Sequence, residues 1–356
     1  MCSIRPLAEL HNVSIKRTNK GIASTGYLLT LDGSRRLQVD LARPSRADLS
    51  VESMADATIS TVAGWKKSLI LRIDAENPAL TERLLSYITP GIMVALGIYY
   101  HVLTILEIVF IQRQFSVLFD LSTLREKAFL RFWLANGAAM SAAMPPELIP
   151  LLSTLRGTVL DIGPGSGEQL HRYTSSSVSA IYGAEPAIKL HPKLQMKAMD
   201  AGLGDKYHIL GCGAEPRSLI PALAGVGLIG EGNTSEGIFD DIVSIRVLCG
   251  VPDLKETVEG LYELLKPGGR FIAYEHVVSP WKTEKGSTVA RVLQWMYMWI
   301  GGWRFWMAGC NLDRDIGMVL REAGKSEDGP GWSRVEMKTL NAWSTILHIV
   351  GYLVKN

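Results

Sequence analysis

The chain has 356 residues, enough for one large domain with an appendage, and its 37 basic and 35 acidic residues leave a net charge of +2. No basic tract or basic domain stands out, so nucleic acid is not expected as a partner. Hydrophobic content of 47% and a mean hydropathy of +0.14 are high for a freely soluble enzyme and direct attention to a membrane segment.

Residues 1–88 read as an N-terminal extension whose role the sequence does not specify. Asp32-Gly33, between two alternating runs, suits a hairpin turn. The first fifty residues carry eight Lys/Arg against four Asp/Glu, a weak targeting bias; an extension or small satellite hairpin is the plainer reading. Residues 89–112 form the next segment. Pro90 precedes an apolar run at 91–111, and a helix over 92–111 would be roughly 30 Å long, enough to cross a hydrocarbon core. His101 and Glu107 count against a span, at a cost on the order of 2.5–3.5 kcal/mol for a carboxylate at the bilayer centre and less near an interface. The alternative is a hydrophobic helix packed on the protein or lying in the interface. Arg113, Arg125, Lys127 and Arg131 on the C-terminal side outnumber Arg72 and Arg83 on the other, which leaves the C-terminal part in the cytosol.

Residues 113–356 form the main domain. The pattern over 115–144 is a single amphipathic helix, with Phe119, Leu121, Leu124, Phe129, Phe132 and Leu134 interrupted by charges and Pro145-Pro146 at its end. Such a helix covers a sheet, and either closes over a site or simply packs the core. Strand and helix then alternate, with strands predicted at 158–162, 179–185, 207–212, 239–245 and 270–275. An amphipathic helix at 252–265 is stopped by Lys266-Pro267-Gly268-Gly269. After an apolar insertion at 281–309 and a helix near 314–323, two strands at 333–340 and 345–354 suggest an antiparallel hairpin on the sheet edge. The expected fold is α/β, a doubly wound, mostly parallel seven-stranded sheet preceded by a hydrophobic helix.

The chemistry begins at Val159-Leu160-Asp161-Ile162-Gly163-Pro164-Gly165-Ser166-Gly167, a buried strand turning through three glycines toward a helix. Glycine lets the backbone take unusual φ values and lets a ligand lie against it. The third glycine comes one residue earlier than in the dinucleotide fingerprint. Asp161 on the first strand and Glu185 at the end of the second place carboxylates where a ribose diol is held.

The glycine loop resembles the first motif of class I S-adenosylmethionine (SAM) methyltransferases. Ala214 and Glu215 follow the third strand, in a loop that resembles the one accepting the adenine amino group in class I methyltransferases; an ordinary helix-start acid is the bland reading of Glu215. Val247-Leu248-Cys249, the turn from Leu265 to Arg270, Glu275-His276-Val277, Gly309-Cys310-Asn311-Leu312 and the terminal Gly351-Tyr352-Leu353-Val354-Lys355 look like the methyltransferase-like 7 group. Those are membrane-anchored SAM methyltransferases that include microsomal alkyl thiol methyltransferases. The resemblance covers residues 115–356; the first 88 have no counterpart in it, Pro164 stands for the group's usual Cys, and Glu185 for a more usual Asp. It implies SAM as cofactor, bound by Asp161, Gly163, Gly165, Gly167, Glu185, Ala214 and Glu215. It further implies a small lipophilic acceptor methylated on S or O, and residence on the endoplasmic reticulum membrane facing the cytosol. Carbon methylation of a polyketide, quinone or sterol is one alternative, and a membrane-associated interaction protein keeping the fold without catalysis is another.

His276, at the end of the fifth strand, is the best-placed base, against the bland reading of a structural histidine. The four cysteines, Cys2, Cys212, Cys249 and Cys310, lack paired spacing, so neither a disulfide framework nor a structural zinc site is expected and no metal ligand is assigned. Cys249 and Cys310 could be read as nucleophiles, but a direct displacement needs no covalent intermediate, and buried packing is the favoured reading of both. Trp295, Trp299, Trp303 and Trp306 fall on one helical face, as a lid or interfacial helix for lipophilic acceptors or as core, with Gly301-Gly302 working against one continuous helix. Oligomeric state is not readable.

Overall fold

The computed structural model describes residues 78–356, except 143, 231–236 and 327–328, together with two strands nearer the N-terminus. The chain divides into two units, 1–65 and 66–356. In the first, β1 (Tyr27–Leu31) pairs antiparallel with β2 (Leu37–Leu41), Leu31 opposite Leu37. That is the hairpin expected around Asp32-Gly33, although those turn residues lie outside the described ones, as does the segment carrying the targeting bias.

The second unit opens with α1 (Leu80–Leu106), and a π-helical turn at Glu107–Gln112 continues it. The helix starts ten residues before Pro90, whose ring sits inside it. Proline lacks the N–H that would bond the carbonyl four residues back. Here that carbonyl, Ser86 O, accepts instead from the Thr345 hydroxyl. One face of α1 packs on the domain. An added Cβ at Gly91 would lie 3.1 Å from Tyr297 Oη and one at Gly97 would lie 2.8 Å from Met307 Cε, and the His101 ring meets those of Phe305 and Trp306. The other face exposes Leu84, Ile88, Val102, Phe110 and Ile111. Over Leu80–Gln112 the helix is long and apolar enough to cross a membrane by length and composition.

The single helix expected over 115–144 is two elements. Phe115–Phe119 is a 3₁₀ segment, and α2 (Leu121–Ala142) starts afresh because Asp120 Oδ1 caps it, accepting the N–H groups of Ser122 and Thr123 at 3.1 Å. Phe119, Leu121 and Leu134 are exposed rather than inward. The buried stripe is Leu124, Ala128, Phe132, Asn136 and Ser141, about one residue per turn.

After α3 (Leu148–Ser153) the sheet begins. Its strands are β3 (Gly157–Ile162), β4 (Val178–Ala184), β5 (Tyr207–Leu210), β6 (Phe239–Ile245), β7 (Leu265–His276), β8 (Trp332–Leu340) and β9 (His348–Lys355), in the spatial order β5-β4-β3-β6-β7-β9-β8. The first five are parallel, while β9 runs antiparallel to both β7 and β8. The closing hairpin is thus at the edge, as expected, with its second strand inserted next to β7. β7 starts at Leu265, which pairs with Phe239 directly after α6 (Leu254–Leu264) ends; Lys266 to Gly269 form an irregularity before pairing resumes at Arg270 with Asp241.

Alternate residues of each parallel strand feed the two sides of the sheet. Leu160 and Ile162 join Leu219 and Leu223 of α5 (Pro216–Gly225), Val258 and Leu261 of α6, and Ile316 and Leu320 of α9 (Ile316–Glu322). Val159 and Ile181 join Leu148 and Leu152 of α3 and Leu194 of α4 (His191–Asp200) on the other side. The sheet is therefore doubly wound. From β3 the chain steps to β4 and β5 on one side, then to β6 and β7 on the other, so a crevice opens at the carboxyl ends of β3 and β6, where ligands bind in such folds.

Candidate active site

The glycine loop leaves β3 at that switch point. Gly163, Gly165 and Gly167 all have positive φ, +58°, +60° and +77°. An added Cβ at Gly163 would lie 2.6 Å from Val247 Cγ2, so the loop tolerates no side chain there. Glu185, just past the end of β4, turns its carboxylate onto the loop. Its Oε2 accepts the Gly165 N–H and its Oε1 the Ala187 N–H, both at 2.8 Å. Burial holds this carboxyl above the usual range, while the two N–H bonds act the other way.

Asp161 lies beneath the loop, buried at 3% exposure. Tyr207 Oη donates to its Oδ2 at 2.9 Å, and the Tyr173 hydroxyl donates as well. Burial raises this carboxyl to about 7 despite those bonds. Ala214 and Glu215 follow β5 at the same carboxyl edge. Ala214 is buried, and Glu215 stands at the N-cap of α5 without a side-chain cap bond. Its carboxylate lies over Gly213, where an added Cβ would be 2.3 Å from Oε2. The residues expected to hold the cofactor are thus gathered along the ends of β3, β4 and β5.

α2 covers this edge. Trp133 packs over Gly165, and its Nε1 is buried without a hydrogen-bond partner among the described residues. The Ser141 carbonyl accepts from Gln169 Nε2 at 2.8 Å, and Arg246 donates to Met140 O and Ser141 Oγ. Arg246 has a left-handed backbone, φ +60°, at the end of β6. Such a conformation in a non-glycine residue costs roughly 1–2 kcal/mol and is typical of functional sites.

On the other side of the switch point, His276 ends β7 and is buried at 7% exposure. Its Nε2 lies 3.1 Å from Cys310 Sγ, which also accepts from Trp303 Nε1 at 3.1 Å. Cys249 belongs to the same group: the ligand atoms of Cys249, His276 and Cys310 all lie within 4.8 Å of one another. Burial opposes a Cys310 thiolate, but hydrogen bonds from Cys249, His276 and Trp303 together with the imidazole's charge pull its thiol well below the ordinary value. Burial works against a charged His276, yet the contact with Cys310 raises it. Each member of the pair thus favours the charged form of the other, the thiol pulled down and the imidazole pushed up by their contact. Cys249, by contrast, is held up by its bond to Cys310 and by burial. Glu275 next door is fully buried; its Oε1 accepts from Ser244 Oγ and from the Val247 N–H, while Oε2 has no partner among the described residues. Burial raises it above the carboxylate range.

The four tryptophans do not share a face. Ile300 to Gly302 break the segment into α7 (Thr288–Trp299) and α8 (Trp303–Trp306), with Gly302 at φ +61°. Trp295 and Trp299 point outward at 50% and 72% exposure, whereas Trp303 is buried on Cys310 and Trp306 packs on His101. A cavity of about 430 Å³ opens past β7, lined in part by Ser279, Trp281, Arg291 and Arg321, and no glycine-loop residue borders it.

A methyltransferase-domain family model matches residues 131–311, just over half of the chain and the stretch that holds the glycine loop, Glu185, His276 and Cys310. The chain belongs to that family. Its curated relatives include human thiol S-methyltransferase TMT1A, 28% identical over 129 residues, and rat thiol S-methyltransferase TMT1B, 29% identical over 121 residues. Each alignment covers 34% of this chain and 46% of the relative, so the chain spans about half the length of the curated relatives it matches. Among solved structures, an O-methyltransferase family 2 protein from Planctomyces limnophilus in complex with apigenin has a TM-score of 0.43 at 14% identity, covering 66% of this chain and 65% of that one. Geranyl diphosphate C-methyltransferase from Streptomyces coelicolor, in complex with Mg²⁺, geranyl diphosphate and S-adenosyl-L-homocysteine, has a TM-score of 0.40 at 12% identity, covering 65% and 84%.

The methyltransferase cofactor, SAM, fits the residues of this edge. The loop is closed to side chains, an indole N–H is orphaned over it, and the Glu185 oxygens, each already holding one N–H, retain lone pairs for the hydroxyls of a ribose. Sequence reasoning found the loop and its acidic partners. It missed Trp133, Arg246 and the tyrosines on Asp161, none of which carries a local motif, and it favoured packing for Cys249 and Cys310 because a direct displacement needs no covalent intermediate; their contact with His276 is not readable across 61 positions of sequence.

Proposed function

We propose that this protein is a SAM-dependent methyltransferase that places the methyl group on the sulfur of a small lipophilic thiol. The observation that carries the reading is Glu185 bonded to the Gly165 N–H at the switch point, a carboxylate set beside a glycine cradle. The choice of sulfur is supported by the two thiol S-methyltransferases among the relatives.

When bound, SAM supplies a sulfonium-activated methyl group open to in-line displacement. The acceptor's S–C bond forms as the methyl–sulfonium bond breaks, the leaving sulfur keeps the electron pair, and the acceptor's proton has to go to the protein. In this proposal the His276–Cys310 pair takes it: Cys310 Sγ receives the proton while His276 Nε2, 3.1 Å away, holds the pair's other one. Glu185, the glycine loop and Trp133 orient the nucleoside end, and α2 with the buried wall of β6 and β7 keeps water from the transfer path. Asp161, Ala214 and Glu215 complete the cofactor edge in this reading.

The long apolar α1 supports membrane association; the flanking charges support a sheet domain facing the cytosol, and the resemblance to the microsomal group supports the endoplasmic reticulum. Purified full-length protein, given SAM and a panel of alkyl thiols, phenols and carbon acids, is expected to methylate the thiols. Tight SAM binding with no product from any acceptor would overturn the enzymatic reading, and methylation of phenols alone would overturn the choice of sulfur. Fractionation of cells in alkaline carbonate tests the anchor, since recovery in the soluble fraction would remove it.

A further inference from the structure

We propose that Cys249, His276 and Cys310 form a three-ligand site for one thiophilic divalent cation of the zinc type, and that its occupation excludes proton transfer to the Cys310–His276 pair. The three residues come from separate parts of the fold. Cys249 lies in the loop after β6, His276 ends β7, and Cys310 follows the left-handed turn at Ala308 and Gly309. Their Sγ, Nε2 and Sγ atoms converge within 4.8 Å.

Tetrahedral zinc with thiolate ligands at about 2.3 Å and imidazole nitrogen at about 2.0 Å separates sulfurs by about 3.8 Å and sulfur from nitrogen by about 3.5 Å. Cys310 Sγ and His276 Nε2 are already 3.1 Å apart, so a small outward shift admits an ion between them. The backbone around the ligands is fixed: the Asn311 N–H and its Nδ2 both donate to Cys249 O, at 3.0 and 2.9 Å. Trp303 Nε1 donates to Cys310 Sγ, the sort of outer hydrogen bond that tunes a bound thiolate.

Charge also balances. The ion replaces two protons, that of Cys249 and the one that Cys310 and His276 share, and two thiolates with a dication leave a neutral centre in a buried place. Three protein ligands leave one tetrahedral position open. With Nε2 ligated, His276 no longer pairs with Cys310 through a proton, and the exclusion half of the proposal rests on the methyl-transfer reading above.

The test is cobalt(II) added to metal-free full-length protein, followed by absorption spectroscopy. One equivalent is expected to give a thiolate-to-cobalt charge-transfer band and the intense visible bands of tetrahedral cobalt, both displaced by zinc. Cys249→Ser is expected to weaken the charge-transfer band and lower affinity, Trp303→Phe to cost roughly 10-fold in affinity, and Cys212→Ser to change neither. Only the weak bands of octahedral cobalt with the wild-type protein would overturn the site, whatever the variants do. Zinc at one equivalent is further expected to lower thiol methylation at least 10-fold, reversibly with chelator, while SAM binding persists. Tetrahedral cobalt with unaltered methylation would overturn the exclusion; tetrahedral cobalt in a protein that never methylates would leave the metal site standing and overturn the methyltransferase reading.

Discussion

The two sides of the switch point are built on different plans. At the ends of β3, β4 and β5 the working groups are largely backbone: three left-handed glycines and a carboxylate that bonds to their N–H groups. At the ends of β6 and β7 they are side chains, a histidine, two cysteines and a buried glutamic acid. Backbone makes a cradle that accepts one ligand shape, and side chains make chemistry that can be retuned by single replacements. Damage to the first side should therefore remove binding, and damage to the second should remove turnover while binding survives.

The sharpest way to break this contrast is Glu185→Ala. Losing hydrogen bonds to an ionised group, at roughly 1.5–3 kcal/mol each, should weaken SAM binding by about 100-fold or more in calorimetry. Next comes His276→Ala, expected to lower kcat by roughly 100-fold with SAM affinity kept within a few-fold, since general base contributions start near that size. An equal loss in SAM binding would erase the distinction between the two sides.

Asp161 sharpens the cofactor side through pH. Its carboxyl titrates at about 7 in the folded protein against an ordinary 3.8, so the folded state holds a proton that the unfolded state has released. Its contribution to stability is complete below the unfolded value and is lost as pH rises from about 4 to about 7, on the order of a few kcal/mol. Glu185 and Glu275, also raised by burial, act in the same sense. Asp161→Asn should flatten the rise in melting temperature that the wild type shows on acidification from pH 8 to pH 5, and an unchanged slope would reassign it to the other carboxyls. The smallest effect belongs to Thr345→Val, which strips the Ser86 carbonyl of its partner and should cost about 1 kcal/mol, or 2–4 °C in melting temperature.

The same contrast explains what the sequence made legible. The cofactor side was readable because strand, glycines and carboxylates follow one another within a single βα unit and its successor. The parallel strands and the closing hairpin were readable for the same local reasons. The side-chain cluster needed the fold to bring residue 249 to 276 and 310, and no spacing rule covers three segments joined by a sheet edge and a broken helix. His276 was found by its place at a strand end, but its cysteine partner was not. The tryptophan face failed because Gly302 takes a left-handed turn that sends Trp303 inward while Trp299 faces out. The helix over 115–144 failed because Asp120 captures two N–H groups and restarts it.

Pro90 gives α1 an identity that its composition hides. A generic apolar span put in its place would have every interior carbonyl paired within itself and nothing to offer Thr345. Because Pro90 leaves one carbonyl open and Thr345 meets it, the segment works as a key cut for this domain. Chimeras that exchange it for another apolar helix of equal length should therefore seat the sheet domain poorly, whereas a graft that retains Pro90, Gly91 and Gly97 should restore the fit.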